Sequence, residues 1–477
     1  MSSNRTDLGD ATGGLWAAKA LRWWMGSGLL RPARGLMAAV VVAAGPWLVS
    51  VIALAVVSVT MTPVLGFEAV EDLRLTVIYA FCLAPLAAGP VGATVSRMIG
   101  AGLDSGDIGQ VPALFLAAAV GSALAAEVLA VVVVMLLGIG PLEVALAFVF
   151  LTGAAAMLWT SFAALTALRA YRLLIWSFAG GMALAVAAIM LATRGRVDTE
   201  TLIWSFTAGI ALCVCLALIR LRRAAGGSDG NLVRALGDTR REMRRLWPLA
   251  LGVLCAITAA WADKWVYWVS PGAARSAAGF AHYSPYDSVM FLAHLSAIPS
   301  YAALLVFHDS DLRGSVETFR ARLGDRSTYA RIRASVDALG QTVWSGVFAI
   351  VYLQAALTAC MVLMAPALAA ALDFSFDQII TLRVGLIAVF LHAFFYLSCA
   401  VLLLCNRTRL YLLMQAAFLA LNVSASLVFQ AQVGLSAYAF FISALVMSVM
   451  AFVVAHRALS KFDYLTFLGE NDSFYAR

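Results

Sequence analysis

Long apolar stretches alternate along the chain with short polar ones. About 20 apolar residues suffice for a helix to cross the hydrocarbon core of a bilayer. Twelve stretches qualify: residues 36–60, 76–99, 111–137, 141–167, 172–193, 200–221, 246–270, 285–307, 340–365, 380–404, 409–430 and 434–457. The pattern predicts an all-α membrane protein of twelve transmembrane helices. Three other segments are amphipathic or polar. Residues 15–30 (LWAAKALRWWMGSGLL) mix Trp and Leu with Lys19 and Arg22, as a helix lying in the membrane interface does. Residues 222–245 contain glycine and are basic. They predict a cytoplasmic linker between an N-terminal bundle (36–221) and a C-terminal bundle (246–457), flanked by an N-terminal segment (1–35) and a tail (458–477). Residues 308–338 place Leu312, Val316, Phe319 and Leu323 at helical spacing. That predicts a cytoplasmic amphipathic helix, with Phe319 and Leu323 as its partner-docking residues.

The two bundles show signs of repetition. Short basic turns, ALRAYRLLIW with Arg169 and Arg172 and LLCNRTRLYLL with Arg407 and Arg409, join spans 4–5 and 10–11. Pro90 in span 2 and Pro299 in span 8 interrupt matching apolar runs, and Pro46 and Pro248 form a looser pair. Pro46, Pro90 and Pro299 are expected as helix kinks. Six helices per half implies parallel repeats about an axis along the membrane normal.

Composition agrees. The chain is 63% hydrophobic and 12% charged, with a mean hydropathy of +0.90. Soluble domains are about half apolar and a quarter charged. The net charge of +7 follows topology rather than a nucleic-acid partner. Among 33 Lys and Arg, six (Arg74, Arg194, Arg196, Lys264, Arg275 and Arg383) fall on one side of the predicted spans and 27 on the other. Positive charge collects on the cytoplasmic side, so both termini are expected there. The first 35 residues carry five basic residues with Trp16, Trp23 and Trp24, unlike a cleaved signal peptide. The seven cysteines lie in or beside apolar runs without metal-ligand spacing and read as free thiols.

No GxxxxGK[ST], HExxH or GxSxG motif occurs, nor a paired Cys/His cluster, so no enzyme activity, cofactor or metal is expected. No selectivity-filter pattern or charged ring marks a channel. Two six-span halves with short loops describe a secondary transporter with a cleft between them.

Charged residues within spans are the best functional pointers, because each is costly unless it meets a partner or water. Span 7 contains WADKWVYW (261–268). Asp263 lies roughly 24 Å along its helix from Trp247, and Glu127 lies equally far from Val111 in span 3. A pair between Glu127 and Lys264 fits these depths, as does each charge reaching water separately. On a helical wheel Trp261, Trp265 and Trp268 share a face, Asp263 and Tyr267 share the opposite one, and Lys264 lies beside the tryptophans. Adjacent residues do not face each other on a helix, so Asp263 and Lys264 are each expected to find another partner. The tryptophans fit an interfacial aromatic belt or a surface on which sugar rings stack. Tyr286, Asp287 and Arg383 lie near outer span ends and complete the candidate pathway with His294 and His392 near mid-membrane. These two read as core histidines or proton carriers.

These residues also carry a family likeness. AAGPWLVSV (43–51), TVIYAFCLAPLAAGPVGATVSRMI (76–99), WADKWVYW, SPYDSVMFLAHLSAIPSYAALLVFH (284–308) and FDYLTF (462–467) together resemble the PelG family of inner-membrane Pel exopolysaccharide exporters. That family is related to MATE transporters and polysaccharide flippases. The N-terminus departs from it, being longer and Trp-rich. The resemblance implies two six-helix bundles around a central cleft and export of an N-acetylhexosamine-rich polymer. It also implies, as partners, a PelF-like cytoplasmic glycosyltransferase and PelD- and PelE-like membrane subunits. The alternatives are a stand-alone ion-coupled flippase or drug antiporter, and a non-conducting scaffold that recruits the glycosyltransferase through 222–245 and 308–338.

Overall fold

A computed structural model of the chain describes residues 50–462, apart from 107, 169, 193–197, 229 and 325–327. Among the described residues, eleven helices are long and apolar enough to span a membrane, and α1 (Ser50–Leu65) is a shorter apolar helix. Residues 36–49, the start of the first expected span, and Pro46 within it lie outside the described residues, as do the N-terminal interfacial segment and Arg169.

The chain divides into two units, one ending at Ser284 and the other starting at Pro285. In the first, α2 (Phe67–Ser105), α3 (Val111–Leu137), α4 (Leu142–Ala167), α5 (Tyr171–Ala192) and α6 (Thr199–Ala224) follow α1. The outer loop expected at 61–75 is reduced to one residue. Gly66, at φ 86, turns the chain between α1 and α2, a conformation glycine adopts without a Cβ penalty. Pro112 opens α3, and Gly138 in the left-handed region closes it. The apolar window of α2 is 67% buried and that of α3 22%, so α2 is central and α3 lies at the rim. Helix α2 continues through both Pro85 and Pro90, so Pro90 does not end its run. Helices α5 and α6 meet at Gly181 and Gly209, where a Cβ on either would overlap the other's carbonyl. Such small-residue contacts let membrane helices approach closely where lipid offers no hydrophobic driving force.

The expected linker is mostly helix: α7 (Leu232–Arg245), capped by the Asn231 side chain, which accepts from the Arg234 N–H at 3.0 Å. It is pinned to α3. The Asn231 N–H donates to Gln110 Oε1 at 3.1 Å, and Ser228 Oγ donates to the Gly109 carbonyl at 3.1 Å. Helix α8 (Trp247–Trp268) also belongs to the first unit, not to a C-terminal bundle starting at residue 246. Close packing on α2 holds it there. A Cβ at Gly89 would overlap Ile257 and lie 3.1 Å from Val253 Cγ1. A two-stranded hairpin, β1 (Ala274–Arg275) and β2 (Ala281–His282), completes the unit.

The second unit holds α9 (Ser284–Leu295), α10 (Ile298–Phe307), a π-helical turn (His308–Leu312), α11 (Arg313–Gly324), α12 (Tyr329–Ala371), α13 (Phe376–Leu404), α14 (Thr408–Val433) and α15 (Tyr438–Ser460). Pro299 starts α10, so the expected break in span 8 falls between two helices, where proline's missing N–H removes no intrahelical bond. A capping box between Ser375 and Gln378 starts α13. Helix α12 is one rod of 43 residues, about 65 Å long, which merges the end of the expected 308–338 helix with span 9. Phe319 on α11 is not available for docking. It is 4% exposed, in a cluster with Ile332 and Val336, and its ring lies 5.4 Å from that of Phe462. The side chain of Leu323 lies outside the described residues.

Candidate functional site

The charges of α8 turn to each other. Lys264 Nζ donates to Asp263 Oδ1 and Oδ2, both at 3.3 Å, and to the Ala260 carbonyl at 3.1 Å. This overturns the expectation that neighbours i and i+1 do not face each other, while Lys264 also finds the separate partner expected, the Ala260 carbonyl. Side chains on a helix lean toward its N-terminus, and the four-carbon lysine stem is long enough to fold back to the preceding turn and over the adjacent carboxylate. All three ammonium donors are thereby used. Asp263 is 0% exposed and Lys264 8%, so the pair is satisfied inside the protein. The Lys264 ammonium also sits 5.8 Å from the centre of the Trp261 ring, within cation–π range.

Glu127 does not pair with Lys264. Its carboxylate lies over Gly153 of α4, where a Cβ would overlap it. Depth along two helices does not decide which way side chains point around them, and that is why the depth match misled.

The tryptophan face is not a simple belt. Trp268 is buried and stacks on Tyr79 of α2, ring centres 4.7 Å apart, while Trp261 lies 6.3 Å from Trp268. Trp261 and Trp265 remain partly buried at the edge of the first unit's core. Tyr267 is buried, with its ring 5.2 Å from Tyr283.

Sequence reasoning missed what holds this wall in place. The hairpin loop between β1 and β2 docks onto α2. The Ala278 N–H donates to Asp72 Oδ1 at 3.0 Å, and Tyr79 OH donates to the Ala281 carbonyl at 2.6 Å. Phe280 is fully buried between Tyr79 and Phe148, at 5.2 and 5.3 Å. His282 Nε2 lies 3.7 Å from Glu71 Oε1, which Arg74 also approaches at 3.5 Å. Asp72 falls between the expected spans 36–60 and 76–99. The signal available in the sequence was the Gly279–Phe280 step, a large aromatic among small residues; in the structure Gly279 turns at φ 104 and Phe280 is buried.

The second unit gathers its own candidates. Tyr286 is buried, Asp287 half-buried and Arg383 exposed. His294 and His392 both lie against Phe440, at 5.7 and 5.3 Å, and His392 stacks on Phe418 at 5.1 Å. His294 Nδ1–H donates to the Met290 carbonyl at 2.7 Å. Where α9 gives way to α10, a buried amide crosses from α12. Ser300 Oγ donates to Gln354 Oε1 at 2.6 Å, and Gln354 Nε2 donates to Ser296 Oγ at 3.4 Å and Thr358 Oγ1 at 3.3 Å. Irregular backbone at membrane depth persists only where protein groups or water satisfy it.

The arrangement offers hydrogen-bonding groups and aromatic faces within apolar helices. Among the described residues no group of three or more His, Cys, Asp or Glu is placed to hold a metal. Solved structures share the fold. A MATE transporter in the bent conformation matches with a TM-score of 0.60 at 16% identity, over 90% of this chain and 96% of that one. An inward-facing multidrug resistance MATE family transporter of the MOP superfamily matches at 0.56 and 15%, over 94% and 99%. A MOP superfamily transporter from Pyrococcus furiosus matches at 0.60 and 15%, over 89% and 96%. The protein is therefore an all-α, multi-pass membrane protein with the MATE-type transporter fold. No curated protein matches the chain. The PelG family, described as "Putative exopolysaccharide Exporter (EPS-E)", matches residues 22–467, and the chain belongs to that family.

Proposed function

We propose that this chain carries a Pel-type, N-acetylhexosamine-rich exopolysaccharide outward across the bacterial inner membrane. It does so in complex with a PelF-like cytoplasmic glycosyltransferase and PelD- and PelE-like subunits, with both its termini in the cytoplasm. Family membership over residues 22–467 supports the substrate class. The single observation that carries a pathway role is the buried Asp263–Lys264 pair beside the partly buried Trp261 and Trp265. Burying an ion pair seldom improves stability over apolar residues of similar volume. Its place beside partly buried indoles fits a path for sugar rings, whose apolar faces stack on Trp261 and Trp265 while the pair fixes the helix that carries them. Glu127, Tyr267, Tyr286, Asp287, His294, Arg383 and His392 are proposed as further pathway residues.

The test is reconstitution of the full complex in proteoliposomes, with nucleotide-activated N-acetylhexosamine supplied at the glycosyltransferase side. Polymer protected inside the vesicles from an added glycoside hydrolase is the expected result, reduced several-fold by Trp261→Ala. Polymer that forms normally but stays wholly accessible to the hydrolase, while the complex remains intact, would make the chain a scaffold.

A further inference from the structure

Helix α7 buries one side and, among the described residues, leaves the other exposed. Ala235 and Thr239 face the first unit's core. At about 100° per residue, Leu232, Leu236 and Val233 fall along one edge of the remaining surface, and they are 43%, 50% and 81% exposed. The arginines then divide into two groups. Arg234 and Arg241 flank Asp238 at 3.7 and 3.9 Å, and Arg245 reaches Glu242 at 3.8 Å. Arg240 and Arg244 make no ion pair among the described residues. Those two, one turn apart, are the arginines that border the apolar edge. The helix ends at Arg245, one residue before the membrane-spanning α8, whose first residue Trp247 is half exposed. The other end of α7 is pinned to Gln110, one residue before the membrane-spanning α3, so both ends of the helix, with its apolar edge and Arg240 and Arg244, lie where spans begin, at the level where acyl chains meet headgroups.

We propose that α7 is a binding face for anionic phospholipid. Leu232, Val233 and Leu236 enter the acyl boundary, and Arg240 and Arg244 grip a headgroup phosphate. The chemistry matches: guanidinium binds phosphate bidentately, and an amphipathic basic helix gains from both apolar insertion and charge. An acidic protein surface would satisfy the arginines but leave Val233 and Leu236 in water, so lipid is the better occupant. The proposal needs only that α3 and α8 span a membrane and is independent of what the protein transports.

The experiment uses the full chain with Val233→Cys carrying an environment-sensitive fluorophore. In nanodiscs, brominated lipid is expected to quench the probe. In detergent, titration with phosphatidylglycerol should shift its emission. The Arg240→Gln/Arg244→Gln variant should need about 30-fold more lipid for half-saturation, equivalent to about 1 kcal/mol per arginine. The Arg234→Gln/Arg241→Gln variant should need only a few-fold more, because Asp238 already offsets those charges. Equal shifts for the two variants would reduce the effect to net charge and overturn the assignment. So would the absence of quenching by brominated lipid, or shielding of the probe only when the glycosyltransferase is added.

Discussion

Removing either half of the Asp263–Lys264 pair should cost more stability than removing both. Lys264→Met leaves a carboxylate at 0% exposure without the ammonium that binds both its oxygens. At 3.3 Å and an effective dielectric constant of about 20, the gross attraction lost is about 5 kcal/mol. Measured losses on breaking buried pairs run at about 3–5 kcal/mol, whereas replacing both members with apolar groups of similar volume is often neutral or stabilising. The expectation is a loss of about 3–5 kcal/mol for Lys264→Met. Asp263→Leu should lose somewhat less, since the freed ammonium is slightly exposed, and the double variant should lie near the parent. Equilibrium unfolding of the four proteins in mixed micelles measures this cycle. If Lys264→Met lies within about 1 kcal/mol of the parent, or if the two single losses add in the double variant, the pair is not the compensated buried unit described. The double variant also separates stability from function. It should fold normally and still fail to export polymer, and normal export from it would remove the pair from the pathway.

Tyr79→Phe should loosen the hairpin without unfolding the unit. It deletes a buried 2.6 Å hydrogen bond and leaves the Ala281 carbonyl unsatisfied, a loss of about 1–3 kcal/mol, read as faster hydrogen exchange across 274–282. Phe319→Asp should expose the cluster formed with Ile332, Val336 and Phe462, and faster exchange in both α11 and the start of α12 is the sign to look for. Unchanged exchange there, with loss of a bound partner, would restore Phe319 as a docking residue.

The spans were legible because hydropathy is local. Each residue contributes its own transfer free energy, and a window of about 20 decides whether a helix can cross lipid. Most observed helices therefore start and stop within a few residues of expectation, with Pro112, Pro299 and Gly138 marking ends that follow from backbone chemistry alone. Family membership was also legible, in the order of short stretches from residue 43 to 467. Partner choice was not. Hydropathy marks Asp263, Lys264 and Glu127 as anomalies but does not say that Lys264 folds back on its neighbour while Glu127 rests on Gly153. Helical spacing in 308–338 reveals an apolar face but not that Ile332 and Val336 already cover Phe319. The 271–283 segment reads as an outer loop, yet Asp72 and Tyr79, roughly 200 residues away, hold its hairpin. The basic 222–245 segment reads as a joint between halves, yet Gly89 lets α8 pack on α2, and the chain divides only after Ser284. In each case the outcome depends on which groups lie within hydrogen-bonding or van der Waals reach, a distance of 3–4 Å set by the packing of several helices and not by any window along one of them.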